Sequence, residues 1–473
     1  MSRQQVRDGK KPQGRTQEQV GKNEGVYAVN QALALLQQFQ LALLQLLVQP
    51  FYYVAILFIL LQYTKQIKLE RQLFAVKLHI WPRLLGRAIV TGLLVGLAVS
   101  LIGAFIGVSV TQQSVMWLWG VSALLMLFRI RYLCFAYAAG VLGLLQWIVG
   151  FTPLASGEGI AGQAAASLAA MDMTGLFMLV ALLHLAEALL VRKQGGKLAT
   201  PLFLSGKRGK IVGGYMLQSF WPVPLLLLVP IGGGAGADAS TTALPWTPLL
   251  GADWSQGWTI AALPMIIGFS ELTRSMLPEE KAKHAAKGLL LYSVALAAAA
   301  LLAWWLPVLL PIAALCSLLL HEAIIWHSRR LENASSPLFV HDQRGLRLLG
   351  ILPQTPAEAL GLQAGEIISK VNGVRVHSKT DLHAALHLNS AFCKLEVLNF
   401  AGEVKFMQRA RYENEHHQLG VILAPDEDAN FYAASGPASL LDLLRHKRTA
   451  HRRSTSAGPV PVKGAATSEK TTV

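Results

Sequence analysis

Two histidines near the end of the last apolar segment raise the question of intramembrane metal chemistry. His321 is followed directly by Glu322, as in the zinc-protease motif, in which histidines at i and i+4 share one helical face and a glutamate acts as the base. Here the i+4 position is Ile325, and the next histidine, His327, lies about 240° around a helix of ~3.6 residues per turn. The two rings therefore cannot face one ion, and this spacing argues against a protease.

No other spacing in the chain predicts catalytic or metal chemistry. The cysteines Cys134, Cys316 and Cys393 are far apart, without the spacing of a disulfide framework or a metal site. Serine nucleophile elbows and phosphate-binding glycine loops are absent from the sequence, because the glycine run 232–234 is not followed by a lysine. We therefore expect neither an enzyme nor a bound metal or cofactor.

Three carboxylates lie near the ends of apolar segments, at Glu187, Glu271 and Glu322. Carboxylates inside a membrane are functional candidates by default. Because these three lie close to basic loops, ion pairing between helices or snorkelling to the interface is the favoured interpretation, and the sequence assigns them no role. The stretch 182–187, which contains His184, resembles the stretch 319–323, so a tandem duplication of two halves stays open beside chance similarity.

The composition is that of a membrane protein with a soluble C-terminal domain. The 473 residues are 53% hydrophobic, the mean hydropathy is +0.42, and the apolar residues are concentrated before residue 328. The formal net charge of +15 could suggest nucleic acid as a partner. The basic residues, however, cluster in short loops between apolar segments, and membrane topology explains this distribution better than nucleic-acid binding does.

Apolar stretches predict about eight transmembrane helices between residues 88 and 327. They are Ala88–Val110, Val115–Phe128, Tyr132–Phe151, Met173–Val191, Ile211–Ile231, Trp254–Phe269, Gly288–Leu306 and Val308–Trp326. Lysine and arginine are absent from residues 111–114, 152–172 and 232–253, whereas the loops that alternate with these three are basic. By the positive-inside rule the segments begin and end in the cytoplasm, which places the C-terminal domain there as well.

The N-terminal part of the sequence allows two membrane topologies. Residues 1–30 are polar and basic and predict disorder, and residues 31–87 predict membrane-associated helices followed by a basic cytoplasmic loop. Whether Leu43–Leu61 crosses the membrane stays open. A crossing would place the basic N-terminus outside, whereas a re-entrant or interfacial helix would keep it inside, which the positive-inside rule favours.

The stretch from Gly345 to Gly373 predicts a strand, a one-turn helix and a second strand followed by a hairpin. Thr355, Pro356 and Glu358 stand in the order of a helix start, and Asn372-Gly373 is typical of a type I′ turn. Ser378 and Asp381 predict a capping box at the start of a second helix. This order resembles the bacterial PDZ domain, a small α+β fold, over residues 336–425. The residues that follow, 426–473, predict a flexible basic tail.

The PDZ resemblance implies a groove in which a peptide adds a strand beside an exposed edge. One wall would be the strand with Leu419, Gly420, Val421 and Ile422. The other wall would be the helix with His383, Leu386 and His387. The alternative is that residues 419–423 merely close the sheet and no peptide binds.

A polytopic membrane domain joined to a C-terminal PDZ-like domain resembles the MinJ family of cell-division topological determinants. The resemblance includes the QPFYY stretch beginning at Gln49 and the basic KQIKLER loop beginning at Lys65. It implies a scaffold in the cell membrane, at septum and poles, that links a DivIVA-type protein to a MinD-type ATPase. Two alternatives stay open: a non-catalytic membrane partner or regulator of a protease, and a transporter with a regulatory PDZ-like domain.

Overall fold

A computed structural model describes residues 14–74, 78–206, 210–230, 240, 244–250, 254, 257–389, 391–410 and 419–426. The predicted tail after residue 426 lies outside the described residues, as do the first thirteen residues. Helix α1 begins at Gly14, within the segment predicted to be disordered. A large region of helices and long strands extends to residue 334, and a small β-rich domain follows it.

The first region contains ten helices among the residues that the structure describes. They are α1 (Gly14–Val48), α2 (Pro50–Phe74), α3 (Trp81–Ile106), α4 (Gln112–Phe128), α5 (Phe135–Val149), α6 (Gly159–Ala169), α7 (Met173–Leu190), α8 (Pro278–Trp305), α9 (Leu310–Leu315) and α10 (His321–Ala334). One-turn π segments, Val191–Gly195 and Cys316–Leu320, continue α7 and join α9 to α10. Pro50 begins α2, where its missing N–H costs nothing, and so separates α2 from α1.

Five helical stretches within the described residues are long and apolar enough to cross a membrane. They are Ala28–Val48, Trp81–Ile106, Met173–Gly195, Pro278–Trp305 and Pro307–Ala334. Helices α4 and α5 are also apolar, but their 17 and 15 residues fall short of the ~20 that a bilayer core requires. Six of the eight predicted segments therefore overlap helices, while the count of eight spans is not confirmed.

The fifth and sixth predicted transmembrane helices are strands. β2 (Ile211–Pro230) and β3 (Trp258–Thr273) form a long antiparallel hairpin, and β1 (Thr200–Ser205) pairs with the first part of β2. Pro222 and Pro224 lie in the middle of β2, where a helix would lose two hydrogen bonds and its carbonyls would clash with the rings. The prediction of helices at these two segments was therefore wrong.

Helix α3 packs very closely against the free edge of β2. A Cβ atom added at Gly92 would lie 2.0 Å from the carbonyl oxygen of Pro222, and one at Gly96 would lie 2.2 Å from that of Pro224. Only glycine leaves room for this approach, because it has no side chain. The spacing of four residues places both glycines on one face of α3, toward the strand.

Helix α7 lies at the centre of the membrane region and is buried along most of its length. It packs against α8, α5 and α3. Phe177 of α7, Tyr292 of α8 and Trp221 of β2 are fully buried members of one continuous apolar cluster. The helices and the hairpin therefore share a single core.

The C-terminal domain contains β4 (Leu346–Ile351), α11 (Pro356–Ala359), β5 (Ile367–Val371), β6 (Val374–Arg375), α12 (Lys379–His387), β7 (Phe392–Leu398), β8 (Val404–Ala410) and β9 (Val421–Leu423). The sheet has the order β8-β7-β5-β4-β9, with β6 paired to β5. Asn372 and Gly373 have φ values of 51° and 86°, both positive as a type I′ turn requires. The turn predicted from sequence is present.

This domain is fixed to the base of the β2–β3 hairpin. The N–H of Gly213 donates to the carbonyl oxygen of Phe339 at 2.7 Å, and that of Leu338 donates to the carbonyl oxygen of Arg274 at 2.8 Å. The Tyr215 hydroxyl donates to the carbonyl oxygen of Leu349. Since Phe339 is fully buried between the two parts, the hairpin and the small domain pack as one body.

Candidate peptide groove

Strand β9 forms one edge of the small sheet. It runs antiparallel to β4, with Gly350 opposite Ile422 and Ile351 opposite Val421. The carbonyl oxygen of Gly420 accepts a hydrogen bond from the N–H of Leu352 at 2.9 Å, so the pairing extends one residue before the strand. Among the described residues β9 is the last strand in the sheet order, and it lines one cavity together with α12.

The turn before β9 requires glycine. Gly420 has a φ of 84°, and a Cβ atom there would lie 2.3 Å from the side chain of Thr355. A residue with a side chain would meet both the left-handed backbone penalty and this contact. Leu419, just before it, is buried in the core of the small domain.

Helix α12 forms the opposite wall. Its start is fixed by a capping box, in which the Ser378 hydroxyl accepts from the Asp381 N–H and the Asp381 carboxylate accepts from the Ser378 N–H. Hydrogen bonds from the backbone N–H groups of His377 and Ser378 and from the Ser378 side chain lower the pKa of Asp381. Leu382 and Leu386 point into the core, while His383 lies half-buried toward β9.

A cavity of about 430 Å³ lies between these two walls. Of the residues predicted from sequence, it is lined by Leu419, Gly420, Val421, Ile422, His383 and Leu386. The exposed His387 is not among the lining residues. Leu419 and Val421 pack with the core of the small domain, whereas Ile422 packs with the larger cluster that contains Phe339. The structure therefore brings six of the seven predicted residues together at the cavity, although their side chains have different neighbours.

Basic side chains surround the cavity. Arg347 and Lys379 line it together with three histidines, His341, His377 and His383. Arg347 is already paired, because its guanidinium donates to Asp342 at 2.6 Å. Hydrogen bonds from Arg344 hold the pKa of Asp342 well below its usual range. Asp426 also lines the cavity, so its lining carries charges of both signs.

The membrane region supplies a third wall, which sequence analysis did not identify. Gln72, Leu73 and Phe74 at the end of α2, with Phe203 of β1, line one side of the cavity. The rings of Phe74 and Phe203 lie edge to face, 5.3 Å apart. No local pattern marks these residues, because they reach the cavity only through the docking of the small domain onto the hairpin.

The three carboxylates singled out from sequence each have polar neighbours. Glu271 lies 3.0 Å from the Lys281 amine, and Glu322 accepts from Arg131 at 2.5 Å and from the Tyr137 hydroxyl at 2.8 Å. Glu187 lies 4.0 Å from the ring of His184. The first two are ion pairs between different elements, which is the arrangement that the basic loops favoured.

Apolar helices of membrane-crossing length and a small C-terminal sheet with a lined cavity define a membrane protein with a C-terminal PDZ domain. Residues 349–397 match the sequence profile of the PDZ domain.

The chain is similar to proteins named as cell division topological determinants. It is 34% identical over 259 residues to "Cell division topological determinant MinJ" of Bacillus subtilis (strain 168), an alignment that covers 54% of this chain and 62% of that protein. It is 27% identical over 372 residues to "Probable cell division topological determinant MinJ" of Lacticaseibacillus paracasei, covering 76% of this chain and 91% of the relative. The aligned region thus spans less than two thirds of the Bacillus subtilis protein.

Proposed function

We propose that this protein is a membrane-anchored scaffold in division-site selection, and that its PDZ domain holds partner proteins at the membrane. The observation that carries the proposal is the lined cavity between β9 and α12. The names of its relatives support the cellular process, and the five membrane-length helices support the anchor.

The expected occupant is an extended peptide that ends in an apolar residue. Its backbone would pair with the second edge of β9, and its terminal side chain would enter the apolar part of the cavity near Leu386 and Leu419. Lys379, which lines the cavity together with Asp426, would attract its carboxylate. A cavity of about 430 Å³ has room for one or two such side chains.

The partners proposed from the resemblance are a DivIVA-type polar protein and a MinD-type ATPase. The basic end of α2, with Lys65, Lys68 and Arg71, leads to the third wall of the cavity. A partner in the groove would therefore also meet this positive surface at the membrane, which would extend the interface beyond the peptide.

A pair of substitutions on α12 tests the groove in cells. His383→Trp would fill the cavity from its half-buried position, whereas His387→Trp, one turn later, changes an exposed side chain that does not line it. We expect the tagged His383→Trp protein to lose enrichment at septa and poles and to give long cells or minicells. The His387→Trp protein should behave as wild type.

Two outcomes would remove parts of the proposal. The division role would be excluded if the tagged wild-type protein gave uniform membrane fluorescence and cells lacking the protein had normal length. Wild-type behaviour of His383→Trp would remove the groove while leaving the division role intact.

The cytoplasmic position of the PDZ domain is tested separately by labelling single cysteines in intact cells. Glu403→Cys lies in an exposed turn of the small domain, and Glu158→Cys lies in a loop that contains no lysine or arginine. A membrane-impermeant maleimide should label the variant at position 158 and spare the one at position 403. Labelling of the latter would place the domain outside.

A further inference from the structure

Three metal-binding side chains meet inside the membrane region. The Sγ atom of Cys134 and ring nitrogens of His184 and His321 all lie within 4.8 Å of one another. Cys134 directly precedes α5, His184 lies in α7 and His321 begins α10. None of the three belongs to the groove or to its proposed function, and they lie far apart in sequence.

The two sulfur–nitrogen separations fit a tetrahedral zinc ion. The sulfur of Cys134 lies 3.5 Å from Nε2 of His184 and 3.8 Å from Nε2 of His321. In a tetrahedral site with Zn–S of about 2.3 Å and Zn–N of about 2.0 Å, a sulfur and a nitrogen ligand stand about 3.5 Å apart. An ion could therefore enter between the three atoms, which all lie within 4.8 Å of one another.

The second nitrogen of each ring shows how the ligand atoms are oriented. Nδ1 of His184 lies 2.8 Å from the carbonyl oxygen of Val180, to which it donates, so Nε2 presents its lone pair to the cluster. Such a backbone bond behind the ring is the usual support of a metal-ligating histidine. His321 also directs Nε2 to the cluster, and its buried Nδ1 has no hydrogen-bond partner among the described residues.

Hydrogen bonds can hold this cluster only in one pattern. Since Nδ1 of His184 donates to Val180, the Cys134 thiol must donate to Nε2 of His184, and the His321 ring must donate its Nε2–H to the sulfur. A bound cation would instead accept lone pairs from both Nε2 atoms and from the thiolate at once.

We propose that Cys134, His184 and His321 bind a zinc ion that ties α5, α7 and α10 together. Sulfur and imidazole ligands in a tetrahedral arrangement select zinc among the common divalent ions. Glu187, whose carboxylate lies 4.0 Å from Nε2 of His184, is placed to supply the fourth ligand or to hold a water there. Binding deprotonates the Cys134 thiol, and its proton leaves to solvent.

The surroundings suit such a site. The rings of Tyr137 and Tyr292 lie 5.0 and 5.4 Å from that of His321 and shield the cluster. Glu322 is held by Arg131 and by the Tyr137 hydroxyl, which directs it away from the ion. This shell of aromatic rings around a few polar ligands limits water and strengthens the metal–ligand attraction.

The test is the metal content of the full-length protein, purified in detergent without chelators. Mass spectrometry of the metals should find about one zinc ion per chain, and Cys134→Ser and His184→Asn should each lower the zinc affinity at least about tenfold. Cys316→Ser is the matched control, because it removes the other cysteine of the membrane region and should keep the zinc.

Cobalt gives a second readout that needs no variant to fold. Co²⁺ added to the apo wild-type protein should produce the thiolate-to-metal charge-transfer band and tetrahedral visible bands, and zinc should displace it. A wild-type protein that contains no zinc and shows no such spectrum would overturn the proposal. Preferential copper, or equal loss of zinc in Cys316→Ser, would overturn it as well.

Discussion

The backbone N–H of Leu226 in strand β2 donates a hydrogen bond to the side-chain oxygen of Ser100 in helix α3, over 2.8 Å. Pro224 and Pro222 lie two and four residues earlier, on the same edge of the strand, and carry no N–H. The edge of a sheet in an apolar environment must leave no donor unpaired. At Pro222 and Pro224 there is no donor to pair, and the Ser100 side chain accepts from the N–H of Leu226. Helix α3 can therefore take the place of a neighbouring strand along these residues.

We predict that Ser100→Ala destabilises the membrane region. The substitution leaves the Leu226 N–H buried without a partner, which costs about 1–3 kcal/mol of the free energy of unfolding. Ser122→Ala is the control, because Ser122 is also a buried helical serine, but its hydroxyl has no partner among the described residues. Thermal unfolding in detergent should show a lower midpoint for Ser100→Ala alone, and equal midpoints for both variants would contradict this account.

The contact between α3 and β2 also predicts an effect at Gly96. An alanine Cβ there would lie 2.2 Å from the carbonyl oxygen of Pro224, so the helix and the strand must separate. Such overpacking typically costs about 1–3 kcal/mol. Gly120→Ala in α4 meets no atom within 4 Å and should gain up to about 1 kcal/mol through helix propensity. Denaturant unfolding measures both changes, and a stabilised Gly96→Ala variant would exclude the close contact.

A buried lysine joins three elements of the structure. The Lys281 amine in α8 lies 3.0 Å from the carboxylate of Glu271 in β3, 3.5 Å from that of Glu332 in α10, and 2.7 Å from the Ser328 hydroxyl. Only 4% of its side chain is exposed. Two carboxylates therefore depend on one buried cation at the base of the hairpin.

We predict that Lys281→Met costs about 3–5 kcal/mol of unfolding free energy, because it leaves the buried Glu332 and the half-buried Glu271 without their cation. Lys283→Met changes an exposed lysine of the same turn and should stay within about 0.5 kcal/mol of wild type. Unfolding of the two variants in the same detergent gives the comparison. A Lys281→Met protein as stable as Lys283→Met would show that the amine is not required there.

The C-terminal domain could be predicted because its sequence carries local turn chemistry. Asn372-Gly373 and the pair Ser378 and Asp381 each fix a conformation within a few residues, and the structure has both features. One detail differs: the Thr355 hydroxyl donates to the carbonyl oxygen of Leu352 and does not cap α11. Local rules identify the turn, whereas the partner of a hydroxyl depends on the chain around it.

The hairpin could not be predicted from hydropathy, because a strand buried on both faces is as continuously apolar as a membrane helix. Pro222 and Pro224 did interrupt the helical pattern, and that was the one local indication of the strand. The reason that the strand is stable lies in α3, more than a hundred residues away. The Cys134 cluster could not be predicted from local sequence either, because its histidines lie 50 and 187 residues from the cysteine.

The groove depends on Gly420, and this gives the last prediction. Gly420 and Gly402 have nearly the same φ, 84° and 81°, so alanine at either position meets the left-handed backbone penalty of roughly 1–2 kcal/mol. Only at Gly420 would the Cβ atom also collide with Thr355, at 2.3 Å, whereas Gly402 has open space around it.

Gly420→Ala should therefore loosen the turn before β9 and its pairing with β4. Hydrogen exchange of the full-length protein should show faster exchange at Leu352 and Ala357, whose N–H groups donate to Gly420 and Leu419, in that variant but not in Gly402→Ala. Equal protection in both variants would mean that Thr355 can move aside, and that the turn tolerates a side chain.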